Sequence, residues 1–77
     1  MDLKGFIENF ADQFDETEPE EIMADTEFHE LEEWSSLIAL SVLNMVGKKY
    51  GYTMTFEEMK PCVTVKDLFN LVASKVG

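Results

Sequence analysis

Arginine is absent from this chain, and its six lysines face sixteen acidic residues, for a formal charge of −10. Binding nucleic acid requires Lys and Arg gathered on one face to neutralise phosphates, so the composition argues against nucleic acid as a partner. It argues equally against anionic membrane surfaces and points to partners with basic surfaces. Cysteine is nearly absent as well. Cys62 alone can form neither an internal disulfide nor a Cys-rich metal cage. A single histidine, His29, and the lack of a G-x-S-x-G elbow remove the parts of a serine hydrolase, so no enzyme is expected. Its neighbours Glu27, Glu30 and Glu32 have no metal-ligand spacing, so His29 reads as a solvated loop residue and no metal site is expected. No apolar run approaches the ~20 residues that span a bilayer. The opening Met1-Asp2-Leu3-Lys4-Gly5 has no signal-peptide core, and a soluble, cytoplasmic, monomeric protein is expected.

What remains fits one small domain over residues 1–77. Leu3, Phe6, Ile7, Phe10 and Phe14 follow one helix face, and Asp2 is a suitable N-cap, so the spacing predicts a first helix over 3–14. Residues 15–33 hold ten of the sixteen acids and no sustained period. They predict a long loop with one short turn near 19–23, pinned to the core by Phe28 and Leu31. Like charges held this close would raise carboxyl pKa values and make the fold more stable in mild acid and in salt.

A second helix is predicted from Ser36 to Tyr50, stopped by Gly51. Leu37, Leu40, Leu43 (or Asn44) and Val46 suggest its inner stripe, and Ile38, Val42 and Met45 make the adjacent face apolar too. A helix apolar on two faces is either central or partly exposed for a partner or cargo. Thr55-Phe56-Glu57-Glu58 is a capping box for a short helix that Pro61 ends. Thr64-Val65-Lys66-Asp67 opens the last helix, with Leu68, Leu71, Val72 and Val76 facing inward. The fold class is therefore all-α: a small four-helix bundle of three main helices and one short one, with a long loop between the first and second. Cys62 reads as a semi-buried small residue and Met23, Met45, Met54 and Met59 as core filler.

The dipeptide Ser35-Ser36, between Trp34 and the apolar run from Leu37, sits where the acidic loop becomes the second helix. With Ser35 as N-cap, Ser36 takes the first helical position. A phosphodiester there would gain roughly 0.3–1 kcal/mol from the helix dipole. The plain alternative is that both serines merely start a helix.

At this point the sequence resembles the acyl carrier protein family, over nearly its whole length. The match runs through the amphipathic first helix and the long loop to Phe28-x-x-Leu31-x-x-Trp34-Ser35-Ser36-Leu37. It continues through a second helix ending Lys49-Tyr50, a short third helix, and Val63-Thr64-Val65-Lys66-Asp67-Leu68. The resemblance implies 4′-phosphopantetheine, derived from coenzyme A, attached to Ser36, with acyl or aminoacyl groups carried as thioesters on its thiol. It implies a phosphopantetheinyl transferase and loading and condensing enzymes as partners. Contact is expected at Trp34, Leu37, Ile38, Glu32 and Glu33, the apolar members forming an exposed patch, although Trp34 by itself reads first as a loop anchor packing on the core. Two features depart from the family pattern. Ser35 stands where the motif has Asp, and the second helix has Ser41, Asn44, Lys48 and Lys49 where acids are usual. The departures suggest a specialised pathway rather than housekeeping fatty-acid synthesis. The other readings are a peptidyl or aminoacyl carrier and a small acidic interaction module without the arm.

Overall fold

The computed structural model describes residues 2–76. It contains four α-helices in chain order: α1 (Leu3–Ala11), α2 (Ser36–Tyr50), α3 (Phe56–Met59) and α4 (Val65–Val76). Among the described residues there is no strand beyond an isolated bridge between Glu27 and Thr64. Nor, among the described residues, is any helix long and apolar enough to cross a membrane.

α1 starts where Asp2 caps it, the carboxylate accepting the Gly5 N–H at 2.8 Å. It ends at Ala11, three residues before the predicted end. Gln13 and Phe14 donate instead to the carbonyls three residues back, Phe10 and Ala11, both at 3.1 Å. This tighter turn still swings Phe14 into the core, which is why the sequence pattern continued past the helix. α1, α2 and α4 pack against one another, and Phe6, Phe10, Phe28, Val42, Val46, Val65, Leu68 and Val72 are fully enclosed.

The segment before α2 is more ordered than its composition suggests. Pro19–Glu21 forms the expected short turn, closed by a capping box between Glu18 and Glu21. Phe28–Glu30 forms a second 3₁₀ turn that the sequence pattern did not reveal. Ile22 and Phe28 are buried, and Leu31 packs on the core half-buried. The loop also feeds α4: the carbonyls of Thr26 and Ala24 accept the N–H groups of Val65 and Lys66 at 3.1 and 2.9 Å. Two otherwise orphaned donors of the α4 N-terminus are thereby satisfied. Thr64 and Asp67 complete that start reciprocally, Thr64 Oγ1 accepting from Asp67 N–H and Asp67 Oδ2 from Thr64 N–H.

α2 covers the predicted residues but presents a different face to the core. Ile38, Ala39, Val42, Met45 and Val46 are buried. Leu37 and Leu40, expected inside, are 76% and 45% exposed. Gly51 ends the helix at φ 70°, a left-handed conformation that a side chain would strain. Two smaller expectations also change. Val76 is exposed at the end of α4, and Met23 is exposed while Met45, Met54 and Met59 fill the core as expected.

Candidate functional site at the head of α2

Ser35 leaves the loop in extended conformation (φ −155°, ψ 173°) and its Oγ accepts the Ile38 N–H at 3.3 Å, so it is the N-cap of α2. Its carbonyl accepts the first helical bond, from Ala39 N–H at 2.9 Å. Ser36 follows at the first helical position and is exposed. The two adjacent hydroxyls therefore have separate situations: one is engaged in capping, the other is presented at the positive end of a 15-residue helix.

What holds this junction in place is aromatic. Trp34, immediately before the cap, stacks on Phe10 at 6.2 Å and meets Phe28 edge-on at 4.9 Å. Phe14 lies 6.2 Å from the same indole. Trp34 is thus half-buried as the anchor of the loop. His29 extends the cluster, its ring centroid 4.3 Å from Phe28. The His29 ring is exposed, but it is not merely solvated: Nε2 donates to the Cys62 carbonyl at 3.0 Å. That bond ties the loop to the turn between α3 and α4.

Beside Ser36 lies an open groove of about 350 Å³ between the head of α2 and α3. Trp34, Ala39, Phe56 and Met59 supply its apolar lining, and Ser35, Ser36, His29 and Lys60 its polar groups. α3 reaches this position through the capping box read from the sequence, Thr55 Oγ1 accepting from Glu58 N–H at 3.2 Å and Glu58 accepting from Thr55 N–H at 3.1 Å. Glu58 also accepts a short hydrogen bond from the Tyr52 hydroxyl. That bond first, and the Thr55 N–H second, hold the Glu58 carboxyl below the usual range.

Of the five residues expected to meet partners, the structure exposes two, Leu37 and Glu32. Ile38 is buried, because it lies on the core side of α2, and so cannot form the exposed patch expected of it. Trp34 is largely committed to the aromatic cluster. Glu33 is committed to the loop. Its carboxylate accepts the N–H groups of Asp15, Glu16 and Thr17 at 2.7, 3.0 and 2.8 Å, and the Thr17 hydroxyl at 2.8 Å. Partial burial pushes its pKa upward, but the Asp15 N–H, the Thr17 hydroxyl and the other two N–H groups outweigh it and leave the carboxyl below the usual range. Asp67 is lowered likewise, by the Thr64 and then the Val63 N–H.

Within the acidic segment Glu33 is thus lowered, against the raised values expected of crowded acids. Glu58 and Asp67, outside that segment, are lowered too, and in all three carboxylates hydrogen bonds to the charged form outweigh the effect of burial.

Cys62 is buried, and its thiol is pushed up by burial and then by the charges of Asp67 and Glu58, which opposes a nucleophilic role. Glu16, Glu21, Glu32 and Glu33 line an acidic depression. Among the described residues, however, no group of three or more His, Cys, Asp or Glu is arranged to hold a metal ion.

The groove residues Phe56, Met59, Lys60 and His29 were not singled out for this site from the sequence. Phe56 had the clearest signal, an aromatic ring at the first position of a capped helix. No family model matches the chain, no curated protein matches it, and no solved structure matches it.

Proposed function

We propose that the chain is a carrier protein that takes a 4′-phosphopantetheine arm on Ser36 and holds acyl or aminoacyl intermediates for other enzymes. The observation that carries this reading is the division of labour between two adjacent hydroxyls. Ser35 starts the helix, and Ser36 is left exposed at the helix end that favours a phosphodiester. In the attachment, the Ser36 oxygen would displace the adenosine bisphosphate portion of coenzyme A at phosphorus, and the hydroxyl proton would pass to the transferase. Once bound, the arm supplies a thiol on which cargo is held as a thioester. The protein's own contribution is placement: a fixed cap, an anchored Trp34, and an adjacent groove whose lining includes Lys60.

The finer features belong to the same reading. On this reading the four helices would form a carrier bundle with its long loop between the first and second helices, working as a cytoplasmic monomer in a specialised pathway. Its partners would be a phosphopantetheinyl transferase and enzymes that load and condense the cargo. Mass spectrometry after incubation with coenzyme A and a broad-specificity transferase tests the reading. The expected result is a gain of one phosphopantetheine by wild type and Ser35→Ala and none by Ser36→Ala. No gain by wild type would leave the small interaction module as the better reading.

A further inference from the structure

Among the exposed positions of α2 (Ser36, Leu37, Leu40, Asn44, Gly47, Lys48 and Lys49) not one is acidic, in a chain with sixteen acids in 77 residues. The only charges on the helix are Lys48 and Lys49. Leu37, Leu40, Ser41, Asn44 and Lys48 fall on one row of the helix surface, at spacings of three and four residues. Shallow depressions of about 420 and 310 Å³ flank the row, and Asn44 and Lys48 line both. Single exposed leucines are ordinary on protein surfaces. Here two of them head a ridge between two grooves, and the ridge ends in the helix's only cations.

We propose that this ridge docks a partner protein presenting an apolar strip that ends in carboxylates, the strip over Leu37 and Leu40 and the carboxylates over Lys48 and Lys49. Charge complementarity selects this occupant. A basic partner would be drawn to residues 15–33, which hold ten acids, and not to a surface whose only charges are positive. The ridge is directional: its apolar end adjoins Ser36 and its cationic end lies about 18 Å along the helix. The inference rests on the carrier reading in one respect, that a partner seated this way has the root of the arm at its edge. A single helix face is small for an interface, so the contact would be weak and salt-dependent.

Nuclear magnetic resonance of the labelled protein tests this with two synthetic helical peptides that share a leucine stripe. One carries glutamates at the end of the stripe, the other lysines. The glutamate peptide should shift the amide signals of Leu37, Leu40, Ser41, Asn44 and Lys48, while the lysine peptide shifts residues 15–33. Lys48→Glu with Lys49→Glu should weaken the glutamate peptide roughly tenfold, and Leu40→Asp should weaken it as well. The proposal is overturned if neither peptide moves the ridge, if the lysine peptide takes it in preference, or if sedimentation shows a second copy of the chain already covering it. Loading of Ser36 is read separately by mass. Ridge binding without loading would remove the carrier reading, and loading without ridge binding would remove this inference alone.

Discussion

The acidic segment 15–33 and helix α2 adjoin in the chain and contrast in almost everything else. The first carries ten acids and reads as loop; the second carries none and reads as an apolar helix. Composition suggests that the loop is the soluble, adaptable part and the helix the buried part. The structure assigns part of each role to the other. The loop places Ile22 and Phe28 in the core and uses Glu33 to bind its own backbone. The helix turns two leucines outward. An acid count therefore overstates how much free charge the loop offers, because some of its carboxylates are structural hydrogen-bond acceptors. An apolar count likewise overstates how much of α2 is core.

The strongest way to break this comparison is to truncate one residue from each side. Phe28→Ala, in the loop, should cost about 3–5 kcal/mol, since the ring is fully enclosed against Phe10 and Trp34. Leu40→Ala, in the helix, should change stability by no more than about 0.5 kcal/mol. Urea melts of the two variants check both values. Similar losses would return Leu40 to the core and the loop to the surface.

The junction between the two regions comes next. Ser35→Ala should cost about 0.5–2 kcal/mol by removing the cap of α2, and Ser35→Asp should restore it. An unchanged melt for Ser35→Ala would mean that the loop, rather than the cap, sets the helix start.

A smaller effect concerns the hydrogen-bonded carboxylates, one in the loop and two beyond α2. The carboxyls of Glu33, Glu58 and Asp67 titrate below their ordinary values of 4.5, 4.5 and 3.8 in the folded state. Lowered folded values contribute stability that is fully present above the ordinary range and lost as pH falls through it toward the folded values. The melting temperature should therefore drop on acidification below about pH 5. Glu33→Gln should melt lower at neutral pH and show a shallower drop. A melting temperature that rose in mild acid would restore the crowding explanation.

Salt should act most weakly. Among the described residues the one ion pair is the exposed Lys60–Glu57 contact at 3.8 Å, so screening removes little attraction and relieves the surplus negative charge. Sodium or magnesium chloride should raise the melting temperature by a few degrees at neutral pH. A fall would mean that attractive pairs dominate.

Helix starts were legible in the sequence because capping is a local signal. Asp2, Ser35, Thr55 and Thr64 each announce the helix that follows. The end of α1 was not legible, since Phe14 stays in phase with the helix while the backbone has already tightened. The inward face of α2 was not legible either, because two adjacent apolar faces give periodicity no means of choosing between them. Nor were the Glu33 latch and the His29–Cys62 bond, which join residues 16 to 18 and 33 positions apart with no pattern at either end. The same limit explains the site. The Ser35 cap and the place of Ser36 at the helix start were legible from local chemistry, whereas the groove beside them is assembled from α3, whose approach is set by tertiary packing.

The most direct measurement is localisation of the arm. After loading with coenzyme A and a phosphopantetheinyl transferase, the protein is cleaved at glutamate and the fragment beginning at Trp34 is sequenced by tandem mass spectrometry. Fragment ions should place one phosphopantetheine on Ser36, with Ser35 and Ser41 unmodified. An arm on either of those serines, or a wild-type chain that never gains one, would contradict the assignment of Ser36 as the carrier residue.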